Sequence, residues 1–228
     1  MQASADRRAF AWKKLHSLSG VVPLGVFLVG HLWMAAALTG GPEHFEQTVA
    51  QWHASMHHVV LLGLVQLVFV WAPLLFHAGY GFVLWRRGRT NALQHGTFRN
   101  WLVTLQRWTG LVLLIFVAYH TWGVWRVVLL HWGGAVAGPH PGDGQIIGLT
   151  ALMVDHLAGS YFVRVLYIAG IFSAALHLAH GLWSFAVDWG ITPGRRAMQA
   201  STVVCAVLFA VLFLLGMQAL TELVQLGA

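Results

Sequence analysis

Apolar residues along the chain fall into five long runs separated by short polar connections. The runs cover residues 18–38, 59–85, 101–130, 161–187 and 202–224. Each exceeds the ~20 residues that an α-helix needs to cross a hydrocarbon layer of ~30 Å. Because a backbone in lipid must satisfy its own hydrogen bonds, we predict five transmembrane helices, named spans I–V in chain order. Residues 1–228 are thus expected to form a single membrane domain.

The composition agrees with this pattern. Hydrophobic residues make up 58% of the 228 and charged residues only 9%, with a mean hydropathy of +0.68. A soluble domain carries about 25% charged residues, so the fold class is an all-α integral membrane protein. The basic start of the chain imitates a secretory signal, but its apolar run is longer than the ~7–15 residues of a signal core. We therefore predict a retained first span.

The basic residues give the orientation. All but two of the 13 Lys and Arg residues lie in the N-terminal tail, in the connection between spans II and III, or in the connection between spans IV and V. The exceptions, Arg126 and Arg164, lie beside spans on the other side. By the positive-inside rule, we predict a cytoplasmic N-terminus and an outside C-terminus. Orientation in the membrane explains the excess of basic residues, so no nucleic-acid partner is predicted.

Four histidines lie inside the apolar runs, one in each of spans I–IV: His31, His77, His120 and His177. Histidine within a bilayer is costly and usually faces a bundle interior where something binds it. At ~1.5 Å of rise per residue, His31 and His120 lie ~20–25 Å from the cytoplasmic edge, and His77 and His177 lie ~13–17 Å from it. Depth therefore predicts an outer pair, His31 with His120, and an inner pair, His77 with His177.

Two matched pairs of imidazoles are typical of axial ligation of two haems. Two neutral imidazoles from facing helices make a six-coordinate, low-spin iron suited to electron transfer. We predict a five-helix bundle enclosing two b-type haems. The single cysteine, Cys205, and the lack of a C-x-x-C-H motif mean that no thioether links hold them. Five glycines near the ligands are expected to leave room for the macrocycles: Gly30, Gly79, Gly81, Gly123 and Gly181.

The remaining histidines are weaker candidates for axial ligands. His180 lies three residues after His177 on nearly the same helix face and is the main rival ligand in span IV. A packing role or a supporting role beside the ligand is the alternative for His180. Histidines in the connections, among them His156, are expected to be solvated.

Three runs of sequence resemble one family. They are KLHSLSGVVP at 14–23, RNWL at 99–102 with LQR at 105–107, and HGLWSFAV at 180–187. In these runs, and over residues 7–220, the chain resembles the five-helix, di-haem cytochrome b anchor of succinate dehydrogenase and fumarate reductase. The resemblance implies that spans I and III hold the outer haem and that spans II and IV hold the inner one. It also implies that His16 and Ser17, together with Arg107, reach the inner propionates, and that Tyr167 and Arg164 lie near the outer haem.

The function implied by the resemblance is electron transfer in complex II of a bacterial inner membrane. A flavoprotein subunit oxidises succinate, an iron–sulfur subunit relays electrons, and this chain passes them through both haems to quinone, in this case menaquinone. The chain has no G-x-G-x-x-G motif for a flavin and no four-cysteine set for a cluster. It is therefore not expected to act on succinate alone.

The quinone site is expected beyond the outer haem, since an outer haem is useful only if the acceptor lies past it. Candidates to line it are Glu43, Glu46, Asp155 and Arg164, all near the outer ends of spans. Simple solvation is the competing explanation for the three carboxylates.

Three alternatives stay open, and the first is a fumarate reductase cytochrome b that oxidises quinol. Some fumarate reductases of the family carry a glutamate two residues before the span IV ligand, where this chain has Ala175. That difference favours succinate oxidation over fumarate reduction. A second alternative is the di-haem cytochrome b of another respiratory complex, such as a nitrate reductase or hydrogenase. A distant one is a histidine-lined transporter without haem, which would need midplane carboxylates or broken helices.

Overall fold

A computed structural model describes residues 2–54, 59–88, 92–94, 96–131, 148–158 and 160–228. Over these ranges the chain is helical and contains no strand. The α-helices are α1 (Gln2–Ser19), α2 (Gly25–Ala35), α3 (Pro42–Ala54), α4 (Val59–Gln66), α5 (Ala72–Arg87), α6 (Phe98–His131), α7 (Gly148–Ala158), α8 (Tyr161–Asp188) and α9 (Arg195–Leu226).

Five helical stretches are long and apolar enough to cross a membrane, which confirms the five predicted spans. They are Asp6–Gly40, Gly63–Arg87, Phe98–Gly123, Tyr161–Asp188 and Arg195–Leu226. The helix that leads into span I begins well before the predicted apolar run at residue 18, because α1 starts at Gln2. Good helix formers such as Ala, Arg and Lys fill this segment, and no glycine or proline interrupts it before Gly20.

Spans I and II each contain one turn of π-helix. The turns are Gly20–Leu24, between α1 and α2, and Leu67–Trp71, between α4 and α5. Pro23 lies inside the first turn and Pro73 lies two residues after the second. A proline ring clashes with the carbonyl four residues earlier and offers no N–H, so a locally wider turn relieves the strain. A 3-10 segment, Ala36–Gly40, ends span I.

Span IV is the central helix of the bundle and packs mainly against spans III and V. Its buried positions include Gly170, Ser173 and Ala175, so a face with small side chains lets the neighbouring helices approach closely. Span II has no buried residue in its described part, and its apolar side chains face the surroundings, as expected in lipid.

Most of the described basic residues lie at one end of the bundle, here called the basic end. The Lys14 ammonium donates to the carbonyl of Asp188, which joins the start of span I to the end of span IV. The Arg107 guanidinium donates to the Gly88 carbonyl at 2.8 Å, which joins span III to the end of span II. Span V begins beside them at Arg195. The opposite end is covered by α3 and α7, which pack on each other.

Candidate functional site

The four membrane histidines meet as two pairs between the spans. The imidazole centroids of His31 and His120 are 5.9 Å apart, with an interplanar angle of 77°. Those of His77 and His177 are 6.2 Å apart, at 85°. The structure therefore brings together the same partners that depth predicted.

His77 is held from span I. Its Nδ1 lies 2.9 Å from the backbone oxygen of His16 and 3.4 Å from Ser19 Oγ. A carbonyl only accepts hydrogen bonds, so Nδ1 of His77 carries the proton and Nε2 keeps its lone pair. The His16 ring stacks on the His77 ring with centroids 4.1 Å apart. This contact puts His16 beside the inner pair, and its role towards the inner propionates stays a prediction.

His177 is held from span III. Its Nδ1 lies 3.2 Å from the hydroxyl oxygen of Thr109, and its backbone oxygen accepts from Gln106 Nε2 at 3.1 Å. The sequence predicted no role for Thr109 or Gln106. Their signal in the sequence was weak, because a threonine or a glutamine near a basic span end is ordinary.

The outer pair has aromatic surroundings. Nδ1 of His120 lies 3.2 Å from the Tyr167 hydroxyl, as expected for a residue near the outer site. Phe27 stacks beside His31 and Phe116 beside His120, with centroids 5.6 and 5.7 Å apart. These rings give the outer pair a dry, apolar wall.

Both pairs fit axial ligation of one metal by two imidazoles. A metal–imidazole bond of ~2.0–2.1 Å, with each ring nitrogen about 1 Å from its centroid, sets two opposed centroids about 6 Å apart. The observed separations of 5.9 and 6.2 Å match this value. In the inner pair, His77 has its Nδ1 bound to a carbonyl, which leaves Nε2 for the metal.

Glycines also clear space around the rings, but at positions different from those expected. A Cβ at Gly20 would strike the His77 ring, and one at Gly110 would lie 3.1 Å from His177 Cε1. Of the glycines named from the sequence, Gly30 and Gly79 face open space. The glycines in contact with the rings of the paired histidines thus lie on the helix opposite each histidine, a relation that sequence neighbours do not reveal.

His180 has different neighbours from His177. Its Nδ1 lies 3.1 Å from Gln106 Oε1, and its ring stacks on Trp183 with centroids 5.9 Å apart. His180 is only 7% exposed and its Nε2 has no hydrogen-bond partner among the described residues. The contacts favour the supporting role over ligation.

His156 corrects an expectation. It was expected to be solvated, yet its Nε2 is buried, and its ring packs 5.4 Å from Tyr119 and 6.0 Å from Tyr167, centroid to centroid. A Cβ at Gly123 would lie 3.3 Å from this ring. The short helix α7 packs onto spans IV and V, and this long-range packing carries His156 towards the outer pair.

The remaining residues implied for the inner propionates lie at the basic end. Ser17 Oγ accepts from Trp189 Nε1 at 3.1 Å and donates to the Lys14 carbonyl at 3.0 Å. Arg107 donates to the carbonyls of Trp85 and Gly88. Both side chains therefore also stabilise helix ends, and their role towards propionates stays a prediction.

The four quinone-site candidates lie at the opposite end and make different contacts. Glu46 accepts hydrogen bonds from the N–H and the hydroxyl of Thr150, at 2.8 and 2.9 Å, and so caps the first turn of α7. Arg164 Nε donates to the Leu157 carbonyl at 3.1 Å. Glu43 and Asp155 are exposed. Of the four, Arg164 lies one helical turn from Tyr167 on span IV.

The bundle and its two histidine pairs define a polytopic helical membrane protein of the kind that holds metal groups between its spans. No protein-family model matches the chain. The chain is 34% identical over 216 residues to the succinate dehydrogenase cytochrome b558 subunit of Bacillus subtilis (strain 168). The alignment covers 95% of this chain and 98% of that protein. The chain therefore belongs to the family of succinate dehydrogenase cytochrome b subunits.

Family membership confirms the resemblance seen in the sequence. The chain is a membrane-anchor cytochrome b of complex II, a multi-pass membrane protein that carries haem b and belongs to an enzyme complex of several subunits. Membership decides against the nitrate reductase or hydrogenase type and against a transporter without haem.

Proposed function

We propose that this chain transfers electrons from an iron–sulfur subunit to menaquinone through two bis-histidine haems b. His77 and His177 hold the inner haem, and His31 and His120 hold the outer one. The observation that carries the proposal is the pair of imidazole separations, 5.9 and 6.2 Å, one towards each end of the bundle. When bound, each haem supplies a one-electron centre.

The side chains around each pair set ligand orientation and exclude water. The His16 carbonyl and Thr109 hydroxyl engage the Nδ1 atoms of the inner ligands, and the Tyr167 hydroxyl engages that of His120. The outer pair is screened by Phe27 and Phe116. A low local dielectric strengthens such fixed dipoles, so these contacts tune the metal they surround.

The orientation and partners follow from the charge pattern and the family. With the basic end cytoplasmic, the iron–sulfur and flavoprotein subunits of succinate dehydrogenase dock there, next to the inner pair. The membrane is the bacterial inner membrane. The chain itself does not act on succinate. Menaquinone reacts at the opposite end, where Glu43, Glu46, Asp155 and Arg164 are the candidate lining residues.

A buried alanine in span IV favours succinate oxidation over fumarate reduction. Ala175, two residues before His177, is fully buried and packs with Leu32 and Leu212. An acidic side chain at this position, as in some fumarate reductases that the chain resembles, would enter an apolar core at high cost.

The test is a cofactor and acceptor assay on the purified complex. We expect two haems b per flavin by pyridine haemochrome, two separate midpoint potentials in a redox titration, and faster turnover with a menaquinone analogue than with a ubiquinone analogue. One haem per flavin, or a preference for ubiquinone, contradicts the proposal.

A glycine variant tests the inner pair independently of its ligands. Gly20→Ala puts a methyl group into the His77 ring, so we expect loss of the inner haem, retention of the outer one and a stability cost of about 1–3 kcal/mol. Gly63→Ala is the control, because nothing lies within 4 Å of a Cβ there. Redox titration checks the result, and an unchanged inner haem in Gly20→Ala contradicts it.

A further inference from the structure

The hydroxyl of Thr109 lies beside the ring of a proposed haem ligand. Thr109 is on span III and only 5% exposed, and its Oγ1 is 3.2 Å from Nδ1 of His177 on span IV. The two residues are 68 positions apart in the chain. This contact is therefore decided by how spans III and IV pack.

The surroundings of the Thr109 hydroxyl favour one direction for its hydrogen bond to His177. The Thr109 hydroxyl also faces two carbonyl oxygens of its own helix, Leu105 at 2.9 Å and Gln106 at 3.1 Å. Carbonyls only accept, so the hydroxyl proton is committed to the helix and the oxygen lone pairs remain for His177. With the hydroxyl proton so placed, the imidazole donates its Nδ1–H, and Nε2 is the nitrogen left for a metal.

The neighbours of Thr109 fix where the ring lies. One turn earlier, Gln106 Nε2 donates to the His177 carbonyl, while its Oε1 lies 3.1 Å from His180 Nδ1. One residue later, Gly110 allows the His177 ring to approach the helix backbone. Residues 106–110 of span III thus set the position of His177 along the bundle, the rotation of its ring and its tautomer.

The outer pair shows the reciprocal arrangement. There the ligand His120 is on span III, and the hydroxyl at its Nδ1 comes from Tyr167 on span IV, at 3.2 Å. Each of these two antiparallel helices therefore carries one ligand histidine and one hydroxyl that faces the ligand of the other helix.

We propose that Thr109 is a positioning residue that fixes the tautomer and the donor strength of His177, and that it thereby lowers the midpoint potential of the inner haem. Tyr167 is its counterpart at the outer haem. An acceptor on the distal N–H makes an imidazole more basic and a stronger donor. A stronger donor stabilises ferric over ferrous iron. The inference rests on the proposed function, because it takes His177 as an iron ligand.

The test compares variants in the whole complex. Thr109→Val removes the oxygen with little change of shape, and we expect both haems to remain while the inner midpoint potential rises. The equilibrium constant for electron sharing between the haems should shift about three- to tenfold, where tenfold equals about 59 mV for one electron. The low-spin ferric EPR signal of the inner haem should move as well. Thr109→Ser keeps the oxygen and should restore both values.

Two further variants are the controls. Thr121 is on the same span and donates to Val117 and Ala118 carbonyls at 2.7 and 3.2 Å, the same intrahelical pattern as in Thr109. Thr121→Val should leave both potentials unchanged. Tyr167→Phe should move the outer potential and leave the inner one.

Specific outcomes would overturn the proposal. They are an unchanged inner potential in Thr109→Val, an equal shift in Thr121→Val, or loss of the inner haem in Thr109→Ser as well as in Thr109→Val. If the unsubstituted complex itself holds fewer than two haems, the proposed function fails instead, which separates the two conclusions.

Discussion

Alanine at either histidine of one pair is expected to remove one haem and leave the other. His77→Ala and His177→Ala should lose the inner haem, and His31→Ala and His120→Ala should lose the outer one, so haem b falls from two to one per flavin. The reason is that each pair is separate, with centroids 6.2 and 5.9 Å apart, and takes each ligand from a different span. Pyridine haemochrome counts the loss and redox titration identifies the missing centre.

His180 provides the matched control on span IV. His180→Ala should keep both haems, because its Nδ1 faces Gln106 rather than a second ligand histidine. It should still lower stability by about 1–3 kcal/mol, since the part-buried Gln106 oxygen loses its partner. If His177→Ala keeps both haems and His180→Ala loses one, the ligand assigned to span IV is wrong.

Succinate–menaquinone turnover is expected to slow when the membrane potential is collapsed. If quinone reacts beyond the outer pair, electrons move from the negative cytoplasmic side towards the positive outer side. Each charge moved across the field is worth ~2.3 kcal/mol per 100 mV, so the potential assists the reaction. The measurement is turnover in proteoliposomes with an imposed potential, before and after an uncoupler.

A soluble dye that takes electrons from the catalytic head is the control for this experiment. Its reduction does not involve the membrane spans and should ignore the potential. His31→Ala should abolish menaquinone reduction and preserve dye reduction. Menaquinone rates that ignore the potential, or turnover that survives loss of the outer haem, would put the quinone site at the basic end.

The quinone-site candidates show that residue type alone does not predict which contacts a side chain makes. Sequence placed Glu46 near the outer end of span I, and the structure shows its carboxylate capping α7 through Thr150. His156, which sequence assigned to solvent, is the residue that α7 packs against Tyr119 and Tyr167. Both contacts join segments far apart in the chain, and no local pattern encodes them.

The sequence by itself determined the class of protein, the five spans, the basic end and which four histidines lie inside the spans. It did so because insertion into lipid depends on the hydropathy and flanking charge of each segment separately. Only the tertiary structure decided which residue faces each of these histidines: Thr109 at His177, Tyr167 at His120, and Gly20 at His77. These contacts depend on how each helix is rotated about its axis. A span that is apolar on all sides carries little periodic signal of that rotation, so packing against neighbouring helices sets it.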